Sequence, residues 1–491
     1  MKEQTNNNVS WRLANDGRIH RQRVIQYPNG DEYDGELVDG RRDGFGNLKT
    51  TNFSYAGSFR RGLFDGKGTF VWCDFKEDGV EVIGRNFEGT FCRGKRDGDG
   101  VFHDGKGGVW EGTWKDDQFT GKGKVMKDDG EYQHGSFVNG KLHCDAGKIR
   151  FRNGDMYEGG LHFGTLHSEV AHISYGYGNG SYTGQFHYNR KQGIGTRRFI
   201  DGSTYRGGFH DNVINGYGSM HYAANDKRLL KQYIGEWEDG VFHGEGELMF
   251  KDTCDVQSYK GFFYKGLYHG HGVIIYSDGG YYEGEFNCTV YMSPTSLITD
   301  PITGTKHGEG TRIWASGNKF EGTWQNNQMV EGKYFDKKYY SSSYVGTFVR
   351  NKKCGSGREI WRSPNGESFR DPWLQWKHKG NEVCTYVGEY QSGYLHGKGT
   401  FSSFDGRSYT GGWKVGKQHG YGVAILLAKY QIGDPQRMHI GKYGSLYRPM
   451  KYEGEWSNGV RHGEGKLTFL DGSVDEGHFV NGHITNETRG I

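Results

Sequence analysis

From Tyr452 to Trp456 the chain alternates strictly, with Tyr452, Gly454 and Trp456 on one side and Glu453 and Glu455 on the other. A period of two predicts a β-strand with one buried face, and no helical spacing competes with it. Asn458-Gly459 and His462-Gly463-Glu464-Gly465 follow, residue types that suit the positive-φ positions of a tight reversal. Lys466 to Leu470 then alternates again, and Asp471-Gly472 turns the chain back. One unit of this kind predicts one β-hairpin, in which Gly454 leaves room for a ring from the neighbouring strand.

The pattern recurs along the chain. An aromatic-x-Gly unit opens at Tyr33, Tyr55, Phe87, Trp110, Tyr182, Tyr205, Tyr233, Tyr259, Tyr282, Phe320, Tyr344, Tyr386, Tyr409 and Tyr452, with weaker copies at Tyr132, Tyr157 and near Asp475. Hairpins joined edge to edge predict an all-β fold, an antiparallel meander of about 17 consecutive hairpins in which the recurring aromatics form the core. Tyr233, Trp237, Tyr386, Tyr390, Tyr409, Trp413, Tyr452 and Trp456 represent that core. The aromatic rows admit a second role, a groove for a partner segment. Residues 1–23 read as a flexible lead-in, 24–482 as the array and 483–491 as a tail. Insertions near 73–86, 222–232, 287–306, 358–385 and 424–451 break the period, and the array resumes in phase after each. The 358–385 insertion carries Pro372, Trp373, Leu374 and Trp376, aromatic mass that a purely solvated loop does not need. It either folds back on its own sheet or anchors a partner.

Composition narrows what this array can be. Glycine supplies 84 of 491 residues and has no side chain to bury, so the 33 Tyr, 29 Phe and 12 Trp must provide most of the buried area. Lys and Arg (62) nearly balance Asp and Glu (59), which gives no bulk charge for a nucleic acid. Seven scattered cysteines, odd in number and never in a C-x-x-C pair, read as free thiols of a reducing compartment. With a polar opening and no long apolar run, the expectation is a cytoplasmic protein.

The chemistry that the repeat suggests is a by-product of its spacing. Gly89 to Lys95, Gly135 to Lys141 and Gly411 to Lys417 match the start of a phosphate loop, but Arg96, Leu142 and Gln418 stand where a hydroxyl belongs. His243, His269, His307, His396, His419 and His462 precede Gly-x-Gly, where Asp43, Asp65 and Asp97 stand in other copies. A polar turn-former explains both residue types, so no metal and no cofactor is expected. No Ser/His/Asp or Cys/His group stands apart from the repeat background, which predicts a protein that is not an enzyme.

The units YEGEWSNGVRHGEG at Tyr452–Gly465, YVGEYQSGYLHGKG at Tyr386–Gly399 and YIGEWEDGVFHGEG at Tyr233–Gly246 closely resemble the MORN (membrane occupation and recognition nexus) repeat. The resemblance runs over about 24–482 and implies an elongated, twisted, single-layer sheet of hairpins. Without a kinase or SET domain, the chain is similar to the all-repeat MORN proteins of radial spokes, axonemes and the cytoskeleton. That similarity implies a scaffold or spacer in a cilium or flagellum, with axonemal or cytoskeletal proteins as partners and self-association through exposed edges. The alternative it implies is a peripheral tether binding phosphoinositides in a membrane.

Overall fold

The computed structural model describes residues 10–13, 19–73, 75–77, 80–82, 84–287, 304–337, 342–362, 369–371, 373–374, 377–378, 383–426, 439–440, 446–447, 449–469 and 472–487. Apart from one 3-10 turn at Gly176–Gly178, every described element is a strand. The chain falls into two compact units, 1–223 with 237–240, and 224–236 with 241–491. In each, the strands form an open antiparallel meander, as the alternation predicts.

The hairpin at Tyr452 shows how the residues make the unit. Strand Pro449–Ser457 pairs with Val460–Phe469 across a two-residue turn, Asn458 (φ 49) and Gly459 (φ 88). His462-Gly463-Glu464 lies inside the second strand and not in the reversal, as a bulge opposite Glu455. Gly463 has φ 67, and a Cβ there would sit 2.1 Å from the Glu455 carboxylate. Beyond the bulge, Gly454 pairs with Gly465. The ring over this glycine pair is Tyr452's own and does not come from a neighbouring strand, since a Cβ at Gly465 would meet the Tyr452 hydroxyl at 2.3 Å. Two facing glycines leave the room in which the side chain lies along its own hairpin.

Twelve tyrosines make the same bond along their hairpins, among them Tyr33, Tyr55, Tyr233, Tyr386 and Tyr452; all but Tyr157, where Ala171 faces Gly159, lie over two glycines. Each hydroxyl donates to the carbonyl three residues on, at 2.7–3.1 Å. In most units the second aromatic meets its own opening ring edge-on and the opening ring of the unit before. Tyr452 stands 5.1 Å from Trp456, and Trp456 stands 5.3 Å from Tyr409. The rings thus make an edge-to-face ladder, which runs from Tyr233 to Phe479 in the second unit and is interrupted between Phe137 and Tyr157 in the first. All eight representative core aromatics are buried.

The array is wider than its recognisable letters. Tyr157 is fully buried and donates to the Gly160 carbonyl like any strong copy. At Tyr132 the ring is displaced, and Leu142 and Cys144 fill the space beside Gly135. The 1–23 stretch is not all lead-in, because Ser10–Leu13 pairs with Ile19–Gln26, which pairs with Glu32–Val38. The 483–491 tail likewise begins with a strand, His483–Glu487, paired to Val474–Val480. Of the insertions, 73–86 contains a short hairpin, Phe75–Glu77 with Val80–Val82, and 424–451 contains His439–Ile440 paired with Leu446–Tyr447. The insertion at 358–385 starts later and ends earlier than the sequence suggests, since Lys352–Arg362 and Val383–Gln391 stay paired through Arg362 and Val383.

Candidate functional site

The 358–385 insertion returns to its own sheet. Phe369–Arg370 pairs with Lys377–His378, and Asp371 between them accepts hydrogen bonds from the Trp373 and Leu374 amides at 3.1 and 2.6 Å. Trp373 lies edge-on to Tyr394 at 6.1 Å and covers Gly416, with its indole nitrogen buried and without an acceptor. Leu374 is half-buried. Pro372 and Trp376 lie outside the described residues.

A second contact pins the same loop. His378 Nε2 stands 3.1 Å from Asp371 Oδ2, and its Nδ1 stands 3.1 Å from Ser403 Oγ on the sheet. A Ser, His and Asp in one hydrogen-bonded line was not legible in the sequence, because Ser403 belongs to a strand and the other two to an insertion. The line is closed to solvent. Asp371 and His378 are fully buried and Ser403 is 8% exposed. Nucleophilic catalysis requires the serine oxygen to meet a substrate carbonyl. The geometry here instead ties the insertion to the sheet through buried, satisfied polar groups.

The hairpins also contain two core positions that sequence reading missed. One faces the second aromatic of the unit just after the turn. Phe64 fills it beside Tyr55 at 4.1 Å, Phe242 beside Tyr233 at 4.0 Å and Tyr268 beside Tyr259 at 3.6 Å, all stacked. In other copies the same position holds a cation, namely Arg42, Arg96, Lys191, Lys306, Lys353 and Arg461. Arg96 lies 4.2 Å over Trp114 and Lys353 lies 5.0 Å over Tyr344, so a positive charge replaces a flat ring on an aromatic face. Burial lowers the pKa of Arg96, Lys191 and Arg461, and pushes Lys306 down to about 8. The other position pairs across the hairpin with the opening aromatic. It is apolar in most copies, as at Leu48, Phe401 and Leu467, and the signal for it is an apolar residue two places after the second glycine of Gly-x-Gly.

Where the histidine position holds aspartate, it serves the next turn. Asp43 and Asp65, which occupy it in early copies, accept the backbone amides of Arg61 and Arg93 in the next turn, at 3.0 and 3.2 Å. Among the described residues no three His, Cys, Asp or Glu side chains converge on a metal position, and no helix is long and apolar enough to cross a membrane. On the outward face of the second unit Glu283, Glu285, Glu309 and Glu321 line a shallow groove with His271.

The MORN repeat matches fourteen segments: 33–52, 55–75, 87–109, 110–132, 182–204, 205–227, 233–254, 259–281, 304–319, 320–337, 344–363, 386–406, 409–425 and 452–474. The chain belongs to the MORN repeat family. Thirteen of these matches begin at the aromatics named above; the segment 304–319 holds the second strand of the MORN hairpin opened by Tyr282, where Gly284 pairs with Gly310 across the insertion. Human alsin is 24% identical over 250 residues, 48% of this chain and 14% of alsin. The human ALS2 C-terminal-like protein is 35% identical over 92 residues, 17% of this chain and 10% of that protein. The match therefore spans a small part of these relatives. A Drosophila melanogaster SAS-4 (dCPAP) TCP domain, solved with a proline-rich motif of Ana2 (dSTIL), aligns over 40% of this chain and 86% of that one. Its identity is 11% and its TM-score 0.17, too slight to carry any reading. As a MORN array the protein is a scaffold of the kind that binds proteins or membranes.

Proposed function

We propose that the protein is a non-enzymatic spacer that holds other proteins at fixed intervals, in a ciliary or flagellar axoneme of radial-spoke type or a related cytoskeletal assembly, on the cytoplasmic side. The observation that supports this reading is the use made of chemically capable side chains. The hydroxyls of the twelve core tyrosines, the Asp43 and Asp65 carboxylates and the Ser403, His378 and Asp371 line bond within the fold, while the insertions supply the departures from repetition. A ladder of hairpins interrupted by insertions suits positioning better than turnover.

The test is affinity purification of the tagged full chain from ciliated cells, with and without residues 363–382, together with its localisation. The expected result is axonemal localisation and a defined set of co-purifying proteins, part of which is lost with the deletion. A diffuse protein with no stable partner in either form overturns the proposal. Flotation with phosphoinositide vesicles, in place of protein capture, would turn the reading to a membrane tether.

A further inference from the structure

Two hairpins, one in each compact unit, carry the same departure from the pattern. Lys191-Gln-Gly-Ile-Gly-Thr-Arg197 and Lys306-His-Gly-Glu-Gly-Thr-Arg312 place a lysine after the turn and an arginine in the position facing the opening tyrosine. Arg197 pairs with Tyr182 and Arg312 with Tyr282, where sibling hairpins have Leu48, Phe401 or Leu467. Two like charges thus occupy two adjoining core positions.

The surroundings are equally alike. Arg197 lies 4.1 Å over Tyr175 and 5.4 Å over Phe199, with Lys191 at 5.3 Å from the same Tyr175 ring. Arg312 lies 3.6 Å over Tyr276 and 5.7 Å over Trp314, with Lys306 at 5.6 Å from Tyr276. Arg197 Nη2 reaches the Asn179 carbonyl at 3.3 Å, but its Nη1 is buried without an acceptor. Arg312 is 7% exposed, and its Nη1 is also without an acceptor. Among the described residues no carboxylate forms an ion pair with any of the four cations. Asp278, which acts on Arg312 electrostatically, accepts the Gly280 amide. Lys191 and Arg197 line a cavity of about 210 Å³ with Phe199, Phe209 and Asn212.

A third hairpin serves as an internal control. In Lys353-Cys-Gly-Ser-Gly-Arg-Glu359 the residue facing the tyrosine is Glu359, which binds Lys353 and accepts the Tyr390 hydroxyl at 3.0 Å. There the fold supplies its own anion. Ring faces offset only part of the cost of buried charge, and uncompensated cations in a low-dielectric wall favour a bound counter-anion.

We propose that the Lys191/Arg197 and Lys306/Arg312 pairs are two binding sites for a phosphate-sized oxyanion. Each arginine offers the Nη1 that the fold leaves without an acceptor, the lysine a second charge, and the aromatic walls raise the strength of both. Phosphate itself or a phosphate ester, soluble or on a lipid headgroup, has this chemistry.

The experiment is equilibrium dialysis of the full chain against labelled inorganic phosphate, with ionic strength held by chloride. The wild type is expected to bind two phosphates per chain, Lys191→Met/Arg197→Leu one, and the further Lys306→Met/Arg312→Leu none. Each single arginine replacement should weaken its own site about tenfold or more, the value of a charge-assisted pair. The replacements copy residues that sibling hairpins carry, and far-UV circular dichroism checks that the variants fold. Absence of saturable binding in the wild type, or unchanged stoichiometry in the fourfold variant, overturns the proposal. A parallel flotation with phosphatidic acid vesicles identifies the source: recruitment lost in the fourfold variant assigns a lipid headgroup, and no recruitment beside phosphate binding assigns a soluble ester.

Discussion

A single glycine has different duties at each place it recurs. Gly399, paired with Gly388, lies under the Tyr386 ring, and a Cβ there would meet the Tyr386 hydroxyl at 2.1 Å and its ring carbon at 2.4 Å. Neither neighbour can retreat, because the ring is fully buried and its hydroxyl is bonded to the Glu389 carbonyl. Gly399→Ala should therefore destabilise its hairpin by about 1–3 kcal/mol, the cost of overpacking. By contrast Gly406→Ala meets nothing, and only its φ of 88 resists the change, at roughly 1 kcal/mol. Hydrogen exchange over 383–414 should show faster opening in the first variant than in the second; equal protection would contradict the ring-over-glycine account.

Within one hairpin, the two hidden core positions act as a pair. Glu359 is 3% exposed, and its charge is matched by Lys353 and the Tyr390 hydroxyl. Burial, with Glu359 beside it, holds the Tyr390 phenol well above its ordinary value, so it stays a donor. Glu359→Leu leaves Lys353 facing rings without a counter-charge and should cost about 3 kcal/mol or more. Adding Lys353→Met should return most of that loss, since Met329 and Leu48 occupy these positions in sibling hairpins. Denaturant unfolding of the four proteins in the cycle measures the coupling; additive losses would show that the pair acts independently.

Across the molecule the same tyrosine is used in hairpin after hairpin, so its ionisation concerns the whole chain. Burial pushes Tyr55, Tyr182, Tyr205 and Tyr452 up to about 12, against about 10 for a free phenol. The unfolded chain releases these protons first. The stability they confer is complete below pH 10 and is lost as the pH rises through about 12. Urea midpoints should fall steeply over that window, and tyrosinate absorbance should rise together with the loss of far-UV signal. Tyrosinate appearing well before unfolding would mean that the hydroxyls are freely hydrated. Because each hairpin touches chiefly its neighbours, the loss should spread along each compact unit from many starting points.

The sequence by itself determined the hairpin, its repeat length, its Asn458-Gly459 turn and the paired aromatics that open each unit, because alternation, glycine spacing and turn residues act over a few neighbouring positions. Sequence letters undervalued Tyr157 and the strands Ser10–Leu13 and His483–Glu487, which owe their place to pairing with a finished neighbour and not to a strong pattern of their own. Only tertiary structure decided which ring covers which glycine, since a side chain's direction depends on the strand opposite. The same holds for Trp373 on Gly416, and for Asp371, His378 and Ser403, brought together across an insertion. The two lysine and arginine pairs were visible as letters, but only a folded hairpin shows both charges in one wall, with an anion in the sibling copy and none in theirs.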